Sequence, residues 1–223
     1  MCGRINQDER AFQSEQRWQN RLNKSERQFN IGIGMRAFVY HKLNGVETHE
    51  YIKFGFNRGG RLNFNARIEG FHNKENRSNY DGTFGLATNP NYKDLVDTHR
   101  CIIPVSSFIE GPEVEKLSKP FDIRVSFYKV FALAGIIGTD EKTGELGFSI
   151  ITTWPNEIIK TVIGHHRSPY ILSDEEEYTD WVDPYVPFDL VSQVIKPLNN
   201  DSMIIHELSP EYKSPKFTMP INV

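Results

Sequence analysis

The tightest restriction on the fold of this chain is a succession of strand signals in its middle third. Residues 101–109 are rich in Ile, Val and Phe, and Phe121, Ile123, Val125 and Phe127 alternate with polar residues as in a half-buried strand. Residues 130–137 are nearly all apolar and read as a central strand. Residues 148–154 form a further strand, after a turn at 140–144. Upstream, residues 37–41 and 47–56 flank Asn44-Gly45, the strongest short hairpin signal in the chain. So many strands, joined by turns rather than by long helical crossovers, give an α+β fold: one domain over residues 1–223, with a twisted, largely antiparallel, barrel-like β core flanked by short helices.

The helical signals are weaker. Asn6 with Glu9 resembles a capping box, which predicts a solvated amphipathic helix within 7–29 carrying Phe12, Trp18 and Leu22 as its apolar stripe. A short helix is expected over 156–163, another from a Ser173/Glu176 capping box to about Trp181, and a third over 189–195. Residues 74–92 are dense in Asn, Gly and Ser and read as an irregular excursion. The tail from Ser209, with three prolines, is expected to be extended and packed on the body.

Composition excludes several classes. A net charge of −3 and a pI near 6.2 argue against coating nucleic acid by bulk charge, so any such contact needs a local arginine cluster. No run of 18 apolar residues is present and residues 5–24 are polar, which predicts a cytoplasmic protein without a membrane partner. Cys2 and Cys101 are then expected as reduced thiols. CxxC pairs, an HExxH helix, an EF-hand loop, a P-loop and a G-x-S-x-G elbow are all missing from the sequence, and Gly32-Ile33-Gly34 lacks the third glycine of a dinucleotide site. His165-His166 is set aside as a metal site, because neighbours on a strand point apart and no carboxylate partner is evident. No metal and no cofactor are expected.

Chemistry concentrates at the N-terminus. Removal of Met1 is favoured by the small side chain that follows, and it leaves Cys2 with a free amine and a thiol on adjacent carbons. With ordinary pKa values of about 7.7–8.0 and about 8.5, both groups react near neutral pH. An aldehyde would give an imine with the amine, and the thiol would close on it to form a thiazolidine.

Four segments stand out together: Met1-Cys2-Gly3-Arg4; Asn65-Ala66-Arg67-Ile68-Glu69; Arg100-Cys101-Ile102-Ile103-Pro104 running on to Phe108-Ile109-Glu110-Gly111; and His165-His166-Arg167-Ser168-Pro169. In kind and order they resemble the SRAP family, the SOS-response-associated peptidases that process abasic sites in DNA, over the chain from Cys2 to about Pro169. The resemblance implies a covalent link between Cys2 and the open-chain aldehyde of an abasic deoxyribose in single-stranded DNA, with removal of Met1 that can be autoproteolytic and a lyase activity left open. It implies that Asn65 holds the N-terminal residue, that Glu110 assists proton transfers, and that His165 opens the sugar ring and reverses the link. Arg4, Arg67 and Arg167 would hold phosphates, a monomer would suffice, and the protein would join the nucleoid on damaged DNA. Where the family places tryptophans, this chain has Phe54-Gly55-Phe56, whose phenylalanines are candidates to stack on unpaired bases.

The residues carry their own logic. Imine formation needs a neutral amine and then a proton for the departing water, and a carboxyl with an imidazole divides that work. An ionised Glu110 would hold the amine as ammonium, so a partly apolar setting is expected for it. Cys101, among apolar neighbours, reads as a packing thiol. Two alternatives stay open: an N-terminal-nucleophile cysteine amidohydrolase, and a non-catalytic single-strand binding module in which Cys2 is incidental.

Overall fold

The computed structural model describes residues 2–23, 26, 28–70 and 85–213. Its strands are β1 (Arg4–Asn6), β2 (Ile31–Gly32), β3 (Arg36–His41), β4 (Thr48–Phe54), β5 (Phe56–Arg58), β6 (Arg61–Asn63), β7 (Asn65–Arg67), β8 (Arg100–Val105), β9 (Ser107–Glu110), β10 (Phe121–Val125), β11 (Phe131–Thr139), β12 (Leu146–Thr153), β13 (Ser168–Pro169), β14 (Ile171–Leu172) and β15 (Met203–Glu207). Among the described residues three short α-helices join them: α1 (Glu9–Ser14), α2 (Glu175–Val182) and α3 (Phe188–Ser192).

Strands β12, β4, β3, β8 and β11 close on one another in that order, because β11 pairs back onto β12. The ring is antiparallel except between β12 and β4, and β7 also lies parallel to β12. A second sheet runs β15, β10, β9, β1, β2. The expected barrel-like, largely antiparallel α+β core is therefore present, with these two parallel pairings as its exceptions. The hairpin forms as expected, with Asn44 and Gly45 both at positive φ between β3 and β4.

Alternation along the strands explains the apolar runs. Cys101, Ile103, Val105, Phe131, Leu133 and Ile137 share one core with Phe54, Phe148 and Ile150. Ile102, Ala132, Ala134 and Ile136 point the other way, against Tyr170, Trp181 and Phe188. Both faces of β8 and β11 are covered, so neither strand needs polar positions, and each large apolar side chain so buried contributes about 1.5–3 kcal/mol. Cys2, Ile5, Phe108 and Ile123 extend the first core under the second sheet.

Pro104 interrupts β8 opposite Phe38 and cannot donate to the ladder. The amide of Gln7 fills the gap. Its Nε2 donates to the carbonyls of Phe38 and Pro104, both at 2.8 Å, and its Oε1 accepts from Phe38 N at 2.9 Å. Beyond Ser106 the chain leaves the barrel and continues as β9, paired with β1.

This overturns the expected start of the first helix. Asn6 lies buried in β1, where its Nδ2 donates to Ser107 Oγ at 2.8 Å and its Oδ1 accepts from Asn30 N at 2.7 Å. Asp8 is the N-cap, and the helix is one and a half turns long. Likewise Asp174, not Ser173, caps α2, and Glu177 reaches back to Ser173 N. The expected helix at 156–163 is wound as a π-helix over Ile159–Ile163. The tail is described only to Lys213, where Pro210–Lys213 form a 3-10 turn rather than an extended stretch.

Candidate active site

The N-terminal segment enters the molecule between two strands. Ile5 pairs with Ile31 on one side and with Phe108 on the other. Continuing the second register by two residues sets Gly3 opposite Glu110, so the first side chain before the strand is delivered beside the carboxyl that ends β9. Cys2 is 1% exposed and its thiol donates to Arg4 O at 3.8 Å.

Asn65 opens β7, held parallel to β12 through Ile150. Its Nδ2 donates to Cys2 O at 3.1 Å, and Tyr92 Oη donates to its backbone carbonyl at 3.3 Å while contacting Ser149 Oγ at 3.2 Å. The asparagine is thus fixed at both ends, with its amide on the carbonyl of Cys2.

His165 follows the π-helix through Gly164, whose φ of 73° reverses the chain. Its Nε2 lies 3.7 Å from Glu110 Oε1 and 3.6 Å from Glu113 Oε2. Its Nδ1 sits between two groups of Arg167, the carbonyl at 3.0 Å and the N–H at 3.1 Å. One tautomer donates to that carbonyl and leaves a lone pair on Nε2; the other accepts from the N–H and puts the proton on Nε2. The imidazole can therefore exchange a proton at Nε2 without losing its anchor. Burial lowers the His165 pKa, with Glu110 opposing part of the effect, which keeps the ring neutral at neutral pH. Burial first, and the charge of Glu110 second, push the Cys2 thiol well above its usual range.

The three arginines are placed differently. Arg4 donates to Asn30 Oδ1 at 2.8 Å and is half-buried. Arg67 is about a third exposed and reaches Glu69 Oε2 at 3.8 Å. Arg167 is 2% exposed and forms a bidentate pair with the fully buried Glu69 at 2.8 and 2.9 Å, with further bonds to Thr152 O at 2.6 Å and Thr152 Oγ1 at 3.1 Å. Its fork is spent inside the protein, which explains why the second segment carries a carboxylate partner for the arginine of the fourth.

Three other expectations meet a clear answer. Phe54 and Phe56 are fully buried, and Phe54 stacks on Phe148 at 4.8 Å, so they are core residues and do not offer faces to bases. Cys101 is fully buried, its thiol pushed well up by burial, as expected of a packing residue. His165 and His166 do not point apart on a strand. They lie in the turn before β13 with their rings stacked at 5.0 Å, and Glu113 contacts both. The only sequence signal for Glu113 is its distance of three residues from Glu110, which hints at a shared loop. Arg77, a further candidate for DNA contact, falls outside the described residues.

A cavity of about 550 Å³ lies elsewhere, between α1 and the end of β10; Asp8, Arg10, Arg124, Phe127 and Tyr128 line it, and none of Cys2, Asn65, Glu110 or His165 does. The polar cluster around Cys2 is separate from that hollow.

Residues 1–215 match the SOS response associated peptidase (SRAP) family. The chain belongs to the SRAP family. Among SRAP-related sequences, the abasic site processing protein YoqW of Bacillus subtilis is 32% identical over 140 residues, and YobE of the same organism is 30% identical over 136. These stretches cover 60% and 59% of this chain and, in both cases, 61% of the relative, so the match spans under two thirds of each. Two crystal structures share the fold. A phage-related protein of Bordetella bronchiseptica superposes with a TM-score of 0.68 at 20% identity, covering 93% of this chain and 94% of that one. A protein from Bacteroides thetaiotaomicron gives 0.62 at 21% identity, covering 80% and 75%.

Proposed function

We propose that this SRAP protein processes abasic sites in DNA by forming a covalent link through Cys2 once Met1 has been removed. The observation that carries the reading is the bond from Asn65 to the Cys2 carbonyl beside the Glu110–His165 pair. It fixes the backbone of an N-terminal 1,2-aminothiol against a proton donor and acceptor. Relatives named as abasic site processing proteins support the same substrate class.

The chemistry follows from which nucleophile is ready. A thiol held neutral by burial is a poor first attacker, whereas the amine exposed by loss of Met1 is nucleophilic once neutral. The amine nitrogen adds to the aldehyde carbon and gives a carbinolamine. His165, with its proton on Nε2, or Glu110 protonates the hydroxyl, water leaves, and an imine remains. The Cys2 sulfur then adds to the imine carbon, its proton passes to the nitrogen, and a thiazolidine is formed with net loss of one water. Reversal runs through the same groups.

The substrate is unpaired DNA, because a buried Cys2 is reached only by a sugar drawn out of the helix stack. Arg4 and Arg67, each partly accessible, hold phosphates. Arg167 is a positioning residue that acts through Glu69 to hold the turn bearing His165. One copy of the chain suffices for these roles. The readout is a denaturing gel: protein lacking Met1 gives a slow-migrating adduct with an oligonucleotide bearing one abasic site, and Cys2→Ala gives none. No adduct from the unsubstituted protein would reject the proposal.

A further inference from the structure

Glu113 and His166 serve no step above, yet they sit against the one imidazole that does. His165 Nε2 and His166 Nδ1 face the same Glu113 carboxylate, and one donor atom from each of the three lies within 4.8 Å of the others. Glu110 Oε1 stands 3.7 Å from His165 Nε2. Donors around a tetrahedral zinc, at roughly 2.0–2.2 Å from the ion, are spaced by about 3.4 Å. The separations of 3.6 and 3.7 Å at Nε2 are already close to that figure.

A second observation points to a ligand. In the tautomer that donates from Nδ1 to the Arg167 carbonyl, His165 presents the Nε2 lone pair to this cluster, the backbone-anchored arrangement typical of metal-bound histidines. The ring stacking of His165 on His166 holds the second imidazole in place. The Glu113 side chain is 55% exposed and that of His166 37%, so an ion has a path from solvent.

We propose that Glu113, His165 and His166, with Glu110 completing the set, bind a divalent transition-metal ion of the zinc type, and that its occupancy withdraws His165 and Glu110 from proton transfer and halts cross-linking. Imidazole and carboxylate donors in this number suit zinc rather than calcium or magnesium, which favour all-oxygen sites. Metal binding stands on the geometry alone; its effect on cross-linking rests on the function proposed above.

The test uses the full chain with zinc alone, titrated against a chromophoric chelator. One equivalent is expected to bind the unsubstituted protein and the Cys2→Ala variant alike, while Glu113→Ala and His166→Ala weaken binding at least tenfold. Binding lost in Cys2→Ala but kept in the other two would overturn the site, since the thiol would then be the ligand; so would no binding at all. Cross-linking by the unsubstituted protein should stop on adding zinc and resume with chelator, while Glu113→Ala and His166→Ala, each compared with itself, cross-link equally fast with and without zinc. Zinc bound through these residues without slowing the adduct would overturn the inhibitory half. Absence of any adduct in metal-free buffer rejects the proposed function instead, and leaves the binding titration intact.

Discussion

Replacing Arg167 by Met is the sharpest probe of how the fold supports the site. The side chain is 2% exposed and gives two charge-assisted bonds to fully buried Glu69 and two more bonds to Thr152. Methionine keeps most of the volume but strips Glu69 of its bidentate partner. Breaking a buried pair from one side costs about 3–5 kcal/mol, out of a total stability of about 5–15 kcal/mol. At about 2–4 °C per kcal/mol for a chain of this size, the melting temperature falls by roughly 6–20 °C. Removing both charges, as Glu69→Leu with Arg167→Met, leaves no stranded carboxylate and recovers a large part of the loss. Urea unfolding followed by the fluorescence of buried Trp18, Trp154 and Trp181 measures both variants against the parent. If Arg167→Met unfolds within about 1 kcal/mol of the parent yet no longer binds DNA, Arg167 is a phosphate ligand and the structural account of it is wrong.

Three further outcomes follow from particular contacts. Asn65→Ala removes the bond to the Cys2 carbonyl, and the loss of about 1–3 kcal/mol should slow adduct formation about 5- to 150-fold in a single-turnover assay; an unchanged rate would remove Asn65 from the mechanism. Gln7→Ala deprives Phe38 and Pro104 of three hydrogen bonds inside the barrel and should cost about 2–5 kcal/mol in urea unfolding, whereas a wet helix residue would cost under about 0.5 kcal/mol. Stability should also fall in alkali. Folding holds the thiols of Cys2 and Cys101 above their unfolded value of about 8.5, so their contribution is whole below that pH and shrinks above it, each thiol by up to about 1.4 kcal/mol per pH unit. Tyr92, pushed up to about 12 by burial, adds to the slope above about pH 10. Urea midpoints that stay flat to about pH 10 would contradict this.

How far the chain announces itself depends on the range of the interactions involved. The hairpin at Asn44-Gly45 and the apolar runs of β8, β11 and β12 are local patterns, and they formed where the residues pointed. The family segments, too, were legible as strings, and the fold gathers Cys2, Asn65, Glu110 and His165 from four distant places in the chain. What local reading missed are side chains whose partners are far away. Asn6 and Gln7 look like the polar start of a helix until β9 and Pro104 supply their partners. Arg167 looks like a phosphate ligand until Glu69, 98 residues away, takes its fork. Phe54 and Phe56 look like stacking platforms until the barrel closes over them. The pairing of His165 with His166 depends on a turn after a π-helix, for which no local code is written in residues 156–166.

The central claim is best tested by the intact mass and peptide map of the protein after exposure to DNA with one abasic site. A single adduct is expected on the N-terminal peptide, with Met1 gone and Cys2 carrying the sugar remnant less one water, resistant to thiol reagents. An adduct on a lysine, or on a peptide that still begins with Met1, would contradict it.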